Sequence, residues 1–169
     1  MTDTQLTAAR TVHAPASVVF ALLADPRRHP ELDGSDMVRG DVGAEPVTGV
    51  GQVFRMDVHH RVAGDYRTDN HVTAFEQDAL IAWRTAAVDQ EPAGWEWRWR
   101  TEARDDGATD VSITYDWSDV HDPAVLARVP LPGVPQEALQ RSLENLAAAV
   151  EDWLVVSTPR RLARRARPR

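Results

Sequence analysis

Tryptophan at every second position over residues 95–99 is the feature that most constrains how this chain folds. Trp95, Trp97 and Trp99 alternate with Glu96 and Arg98. Because successive side chains of a β-strand point to opposite faces, the pattern predicts a strand with an indole face and a charged face. A buried tryptophan removes roughly 150–250 Å² from water, and its N–H still needs a partner. The strand is therefore expected to form part of a bulky core or the wall of an aromatic-lined pocket.

The same alternation predicts the inward faces of the neighbouring strands. The apolar phases are Val111, Ile113, Tyr115 and Trp117; Ile81 and Trp83; and Phe54, Met56 and Val58. Over residues 65–75 the even phase, from Tyr66 to Ala74, is interpreted as inward, although Phe75 in the odd phase favours the opposite assignment. All these side chains are expected to share one face of a sheet.

Composition predicts one soluble domain that contains a core. The chain has 169 residues, of which 43% are hydrophobic and 27% charged, and it contains no cysteine. The absence of cysteine excludes disulfides, thiolate metal sites and cysteine nucleophiles. No apolar run approaches the roughly 20 residues that span a bilayer, and residues 1–5 do not resemble a secretory signal. A cytoplasmic protein without a membrane span is therefore expected.

The charge is divided between an acidic body and a basic tail. The net charge is −7, yet residues 157–169 carry six arginines and no acidic residue. Residues 1–156 therefore carry about −13 and are predicted to form the single domain. The Arg-rich tail is interpreted as a solvated extension of the last helix. Contact with an acidic partner is the alternative, and no nucleic-acid partner is expected.

Turn and helix signals predict the order of the elements. A first strand over 4–12 is followed by a helix that begins near Pro15 and ends at Asp25-Pro26, and then by a short helix near 27–29. Short turn-like connections then predict a meander of hairpins. Its strands are 36–42, 50–60, 65–75, 79–87, 94–104 and 109–118. Asp122-Pro123 predicts one further short helix.

The last helix, predicted over 135–156, has the clearest periodicity. Leu139, Leu143, Leu146, Val150 and Trp153 recur at spacings of four, three, four and three residues. This spacing places them on one stripe of an amphipathic helix. The sheet is the only partner in the chain broad enough to cover that stripe.

The chain resembles the START-like superfamily, also called SRPBCC. The resemblance covers about residues 4–155. Segments 12–26, 94–99 and 114–118 are similar to bacterial polyketide cyclase/dehydrase-type members. It implies an α+β helix-grip fold, in which a curved seven-stranded antiparallel sheet wraps around a long C-terminal helix. The implied order is one strand, two helices, six strands and the final helix, here with an extra short helix before the last. A cavity is implied between the sheet and that helix.

Alternation assigns the walls of the implied cavity. The predicted ligand-binding residues are Phe54, Met56, Val58, Tyr66, Asn70, Val72, Ile81, Trp83, Trp95, Trp97, Trp99, Ile113, Tyr115, Trp117, Leu139, Leu143 and Leu146. The same side chains could instead simply fill a core. Tyr66 and Asn70 are candidates to orient a ligand or to move protons, and His60 is a candidate general base if it points inward.

No metal site or cofactor is predicted. The densest set of possible ligands is Asp57, His59, His60, Asp69 and His71. The face that Asp57 and His59 share is expected to be the outer one, the adjacent His59 and His60 point opposite ways, and a metal site needs three or four converging ligands. The chain contains no Gly-x-Ser-x-Gly elbow, phosphate loop or dinucleotide fingerprint.

The leading functional prediction is therefore binding of a hydrophobic, aromatic or polyketide-like small molecule in a Trp-lined cavity. By resemblance, the first alternative is a cyclase or aromatase that promotes aldol closure and dehydration in the same cavity. The second alternative is a protein-interaction or regulatory domain that acts through its surface. The sequence carries no signal for the oligomeric state.

Overall fold

The computed structural model describes residues 3–157, and within them seven strands form one antiparallel sheet. The strands are β1 (Gln5–Val12), β2 (Val38–Asp41), β3 (Val53–His60), β4 (Gly64–Glu76), β5 (Leu80–Ala87), β6 (Glu96–Ala103) and β7 (Thr109–Asp116). Strands β2 to β7 lie side by side in chain order, and β1 pairs with β7. The predicted meander of hairpins is confirmed.

Four helices accompany the sheet: α1 (Ala16–Leu23), α2 (His29–Leu32), α3 (Pro123–Arg128) and α4 (Gln136–Ser157). A 3-10 turn at Pro26–Arg28 links α1 to α2. The side chain of Asp122 caps α3 by accepting a hydrogen bond from the N–H of Ala124, as Asp-Pro predicts. The α+β helix-grip fold and its element order are confirmed. No helix between residues 3 and 157 is long and apolar enough to cross a membrane. The predicted Arg-rich tail, apart from Ser157, lies outside the described residues.

Helix α4 packs on β1 and β7 and closes the concave side of the sheet. Leu139, Leu143, Leu146 and Val150 are at most 2% exposed, which confirms the predicted stripe up to that point. Trp153 was expected to extend the stripe, but it is 42% exposed because the last turn of α4 leads away from the core. The fully buried part of the apolar stripe therefore ends at Val150, and beyond it Leu154 packs against the core while partly buried.

A β-bulge in β4 accounts for both phases predicted there. The even residues from Tyr66 to Val72 face inward, since they pair with inward residues of β3 and β5. The register of β4 against β5 then shifts between Val72 and Ala74, so Thr73 is the extra residue. The shift turns Phe75 inward, where its ring lies 5.6 Å from that of Phe20 on α1. The assignment of Ala74 as inward was wrong for this reason.

The predicted strands extend too far at two ends next to the tryptophans. Strand β6 begins at Glu96 and β7 ends at Asp116, so Trp95 and Trp117 lie just outside them. Gly94 adopts φ +125°, and a Cβ there would lie 2.3 Å from the carbonyl oxygen of Asp119. This close crossing of two backbones favours glycine and ends the strand.

The outer face of the sheet carries the charged side chains, as predicted. The Asp69 carboxylate accepts hydrogen bonds from Arg55 Nε at 2.7 Å and from the N–H of Asp89 at 2.9 Å, and the residue is only 5% exposed. Asp57 accepts a bond of 2.7 Å from Arg67 on the same face. Within residues 3–157, no three His, Asp or Glu side chains are placed to hold a metal ion together.

We expect Asp69→Asn to lower the free energy of unfolding at pH 7 by roughly 1.5–3 kcal/mol, because Arg55 then loses its charged partner. The hydrogen bond from Arg55 holds the pKa of Asp69 below its ordinary value, against the opposing effect of burial. A folded-state pKa below the unfolded value stabilises the protein at neutral pH, and that stability disappears as pH falls through the lowered pKa. The difference from wild type should therefore shrink in acid, as measured by urea unfolding at neutral and at acidic pH.

Asp57→Asn is the matched control, since it breaks a pair on the same face whose carboxylate is 46% exposed. Exposed pairs of this kind contribute about 0–1 kcal/mol. An equal loss in both variants, or a loss from Asp69→Asn that does not change with pH, would contradict the assignment.

Candidate ligand-binding site

An aromatic band crosses the inner face of the sheet. We use this name for His29, Phe54, Trp83, Trp97, Tyr115 and Trp117. Trp97 stacks on Tyr115 with ring centroids 4.3 Å apart, and Trp117 lies 5.5 Å beyond Tyr115. At the other end, Phe54 packs edge-on against Trp83 at 5.4 Å. The band therefore consists of two ring clusters on the inner face, one formed by His29, Phe54 and Trp83 and the other by Trp97, Tyr115 and Trp117.

Strand register places the two ring clusters of the band side by side on the inner face. Trp83 pairs directly with Trp97, and Trp97 pairs directly with Tyr115. Directly opposed residues of antiparallel strands share a face and lie close enough for aromatic rings to touch. Alternation within each strand thus predicts the face, and the register supplies the neighbours.

The tryptophans of the inner face have N–H groups that no side chain or carbonyl of residues 3–157 accepts. Trp83 is 9% exposed and Trp99 is 6% exposed, so both rings are largely buried. A buried indole N–H usually finds a hydrogen-bond partner in the protein. Among the described residues, His71 Nε2 and Arg98 Nε are the only side-chain nitrogen or oxygen atoms that are both shielded from solvent and without a hydrogen-bond partner. The indole nitrogens, which also have no partner, are therefore still in contact with solvent. The inner face therefore offers unused donors beside apolar rings.

Tyr115 adds a hydroxyl to the band. The residue is 6% exposed, and its hydroxyl makes no hydrogen bond within the described part of the chain. Burial raises the pKa of Tyr115, so its hydroxyl stays protonated at neutral pH. It can donate a hydrogen bond to a carbonyl or ether oxygen on a bound molecule.

Asn70 is inward, as predicted, and is already bound within the sheet. Its Nδ2 donates to the carbonyl oxygen of Phe54 at 3.3 Å and to Thr68 Oγ1 at 3.4 Å, and its Oδ1 accepts from Thr85 Oγ1 at 2.8 Å. These bonds link β3, β4 and β5 and leave the residue 4% exposed. Asn70 therefore acts first as a structural link within the sheet.

His60 lies at the β3–β4 turn rather than in the core. Its Nδ1 accepts hydrogen bonds of 3.1 Å from the N–H groups of Val62 and Ala63. The lone pair that a general base would use is therefore occupied by the turn. His60 was a candidate general base only if it pointed inward, and its hydrogen bonds to the turn leave that role without a free nitrogen lone pair.

Tyr66 and Val58 line an open depression of about 530 Å³ near the β2 edge of the sheet. The other residues that line it are Arg39, Asp57, Asp65 and Arg67. A second open depression, of about 410 Å³, lies between α1 and the end of α4 beside Trp153. Neither is lined by the aromatic band, so the enclosed Trp-lined cavity stays a prediction.

The other predicted site residues divide into a floor and a rim. The floor is at most 3% exposed and consists of Phe54, Met56, Val72, Ile81, Ile113, Leu139, Leu143 and Leu146. The rim is half-buried and consists of Trp95, Trp97 and Trp117. The rim residues are therefore the more accessible of the two sets.

His29 belongs to the band but was not predicted from the sequence. Its ring stacks on Trp83 at 5.0 Å with an interplanar angle of 19°, and it meets Phe54 edge-on at 5.5 Å. The residue is 9% exposed, and its Nε2 lies 2.8 Å from the carbonyl oxygen of Leu23. In the sequence, the position of His29 between Arg28 and Pro30 is typical of a surface turn. The only signal for an inward ring is the pair of prolines, Pro26 and Pro30, that restrict the backbone on either side.

Comparisons with known proteins agree with this architecture. The family model described as "Polyketide cyclase / dehydrase and lipid transport" matches residues 3–151. Uncharacterized protein Rv0088 of Mycobacterium tuberculosis is 38% identical over 107 residues, which are 63% of this chain and 44% of that protein. Uncharacterized protein MT0096 from a second strain of the same species is 37% identical over 107 residues. The matched part of the chain spans less than half the length of these curated relatives.

Solved structures share the fold at low sequence identity. A START superfamily protein from Mycobacterium smegmatis is 17% identical with a TM-score of 0.62, and the match covers 88% of this chain and 98% of that one. The Zhui aromatase/cyclase of a Streptomyces species is 18% identical with a TM-score of 0.59, over 89% of this chain and 94% of that one. These structures show that the helix-grip fold is shared, and the match of the family model over residues 3–151 shows that the chain belongs to the polyketide cyclase/dehydrase and lipid transport family.

Proposed function

We propose that this protein binds a planar, mainly apolar small molecule of aromatic or polyketide-like type against the aromatic band. The observation that carries the proposal is the set of indole N–H groups that no residue of 3–157 accepts, beside rings already stacked on the inner face. The rings favour a planar ligand, and the free donors favour one with carbonyl, hydroxyl or ether oxygens. Membership of the family supports the same class of ligand.

Stacking explains why the half-buried rim carries the proposal better than the floor. Trp97 is half-buried, lies opposite the buried Trp83 on the neighbouring strand, and already packs on Tyr115. An aromatic pair contributes about 0.5–1.5 kcal/mol beyond the burial of its area. A ligand ring that extends this stack would therefore gain from both effects.

Aldol cyclisation and dehydration form the second candidate function. It is favoured by the presence in the band of one group that can donate a proton and one that can accept a proton. The protonated Tyr115 hydroxyl can donate to a carbonyl oxygen, and the neutral His29 ring retains an acceptor. In this reaction a base removes a proton from a carbon next to a ketone. That carbon then bonds to a second carbonyl carbon, whose oxygen takes up a proton. Loss of that hydroxyl with a neighbouring proton releases water. The fold shared with Zhui aromatase/cyclase is a further reason to consider this reaction.

Calorimetric titration of the full-length protein with 2-methoxynaphthalene tests the binding proposal. This probe has a planar ring system and an ether oxygen but no donor. We expect saturable binding to wild type, and about two- to twelvefold weaker binding to Trp97→Ala, which is the factor that loss of an aromatic pair predicts.

Trp153→Ala is the matched control, because this tryptophan is 42% exposed on α4 and outside the aromatic band. It lines the depression between α1 and α4, so it also tests the competing site. An affinity that depends on Trp153 instead of Trp97 would overturn the proposal, and so would absence of binding to wild type of both this probe and its hydroxyl analogue 2-naphthol.

A further inference from the structure

The backbone fixes the tautomer of His29. Nε2 lies 2.8 Å from the carbonyl oxygen of Leu23, and a carbonyl oxygen can only accept. Nε2 therefore carries a proton and donates it to this bond. Nδ1 is left as the nitrogen with the free lone pair whenever the ring is neutral.

Burial keeps the ring neutral. Desolvation lowers the pKa of His29 below its ordinary value and outweighs the hydrogen bond to Leu23 and the nearby carboxylates of Asp25 and Asp33, which favour the charged form. Asp25 is held by Arg27, and Asp33 accepts hydrogen bonds from the N–H groups of Met37 and Val38. Neither carboxylate is bonded to the imidazole within the described residues, so neither compensates for the cost of charging it.

The acceptor nitrogen is unused. Nδ1 makes no hydrogen bond to residues 3–157, and it is not among the side-chain atoms closed off without a partner. The ring is nonetheless held firmly, by Trp83 on one face, by Phe54 at its edge and by the carbonyl oxygen of Leu23. A fixed, neutral and unpaired acceptor beside stacked rings is a specificity element, since burying it without a donor costs free energy.

We propose that Nδ1 of His29 accepts a hydrogen bond from a hydroxyl or enol group of the ligand, which makes the aromatic band selective for planar molecules that carry such a donor. The inference rests on the proposed binding function. It adds a requirement that the tryptophans cannot impose, because an indole N–H can only donate. The Tyr115 hydroxyl does not impose it either, because that group can donate as well as accept. His29 is the one member of the band with an acceptor nitrogen.

A pair of probes with the same ring system tests the proposal on the full-length protein. 2-Naphthol carries a hydroxyl donor, and 2-methoxynaphthalene replaces that proton with a methyl group. The methyl group adds apolar area, so burial alone favours 2-methoxynaphthalene. A hydrogen bond to Nδ1 should reverse that order and make 2-naphthol bind about five- to tenfold more tightly to wild type.

Two further measurements make the test independent of folding defects. His29→Phe keeps an aromatic ring beside Trp83 but removes Nδ1, and the preference for 2-naphthol should disappear. Imidazole ¹⁵N NMR of wild type should show Nδ1 unprotonated in the free protein, with a shift on adding 2-naphthol that 2-methoxynaphthalene does not cause. Should His29→Phe fail to fold, the NMR result on wild type decides the question.

The outcomes separate the inference from the function on which it rests. If both probes bind wild type equally, or if 2-methoxynaphthalene binds more tightly, the role of His29 is overturned while the binding function stands. A preference that survives His29→Phe, or a protonated Nδ1, overturns the role of His29 in the same way. If neither probe binds, the proposed function fails and the inference fails with it.

Discussion

Gly34→Ala should lower the free energy of unfolding by roughly 3 kcal/mol or more, the upper end of what overpacking and a lost hydrogen bond cost together. A Cβ at this position would lie 2.2 Å from the carbonyl oxygen of Ala138 and 2.6 Å from the backbone nitrogen of Ser142. Both are backbone atoms of α4 and cannot move aside alone. The added methyl would therefore push α4 away from the loop between α2 and β2, which contains Gly34. It would also break the hydrogen bond that the Gly34 N–H donates to Ser142 Oγ, in which nitrogen and oxygen are 2.9 Å apart.

Gly49→Ala is the matched control, because no atom lies within 4 Å of a Cβ built there. It should change the free energy of unfolding by less than about 0.5 kcal/mol, as surface substitutions usually do. Chemical denaturation of both variants measures the difference. Similar values for the two glycines would show that the loop and α4 do not approach each other as described.

Leu146→Ala is expected to cost about 2–5 kcal/mol, because it removes three carbon atoms from a fully buried position on α4. The side chain is 0% exposed within the core that the sheet and α4 share. The loss should appear as a lower denaturation midpoint with an unchanged slope against denaturant concentration, which is the signature of altered stability alone.

Leu126→Ala tests the same chemistry on α3, where the leucine is 51% exposed. We expect a change within about 0.5 kcal/mol. If the two leucine variants lose the same stability, α4 does not fill the core of the sheet in the way the structure indicates.

Alternation was sufficient to predict the inner face of the sheet but not the exact register of its strands. The indole phase of residues 95–99 and the apolar phase of residues 111–117 follow directly from side-chain geometry in a strand. The bulge at Thr73 could not be predicted, because each side of it keeps a regular two-residue alternation. The extra residue changes only which residues point inward, from the even ones before it to the odd ones after it. Phe75 in the odd phase was its only trace in the sequence.

The site was less predictable than the fold, since it depends on contacts between distant segments. The tryptophans of the rim and the apolar residues of the floor were predicted from their spacing, whereas His29 joins the band only because α2 folds back onto β3 and β5. His60 failed as a candidate for the opposite reason, because the local turn occupies its nitrogen. Spacing indicates which face a side chain takes, and tertiary contacts decide which polar atoms remain free.

The pairing of β1 with β7 has a consequence for how the chain folds during synthesis. Gln5 lies opposite Asp116 and Val12 opposite Thr109, so every contact between these strands joins residues about a hundred positions apart. Strands β2 to β7 can form as successive local hairpins while the ribosome is still extending the chain. The first strand made must then wait for the last, with its edge unpaired, and α4 can dock on both only after they meet. Strand β1 is thus the first strand of this sheet to be synthesised and among the last to be fixed in place.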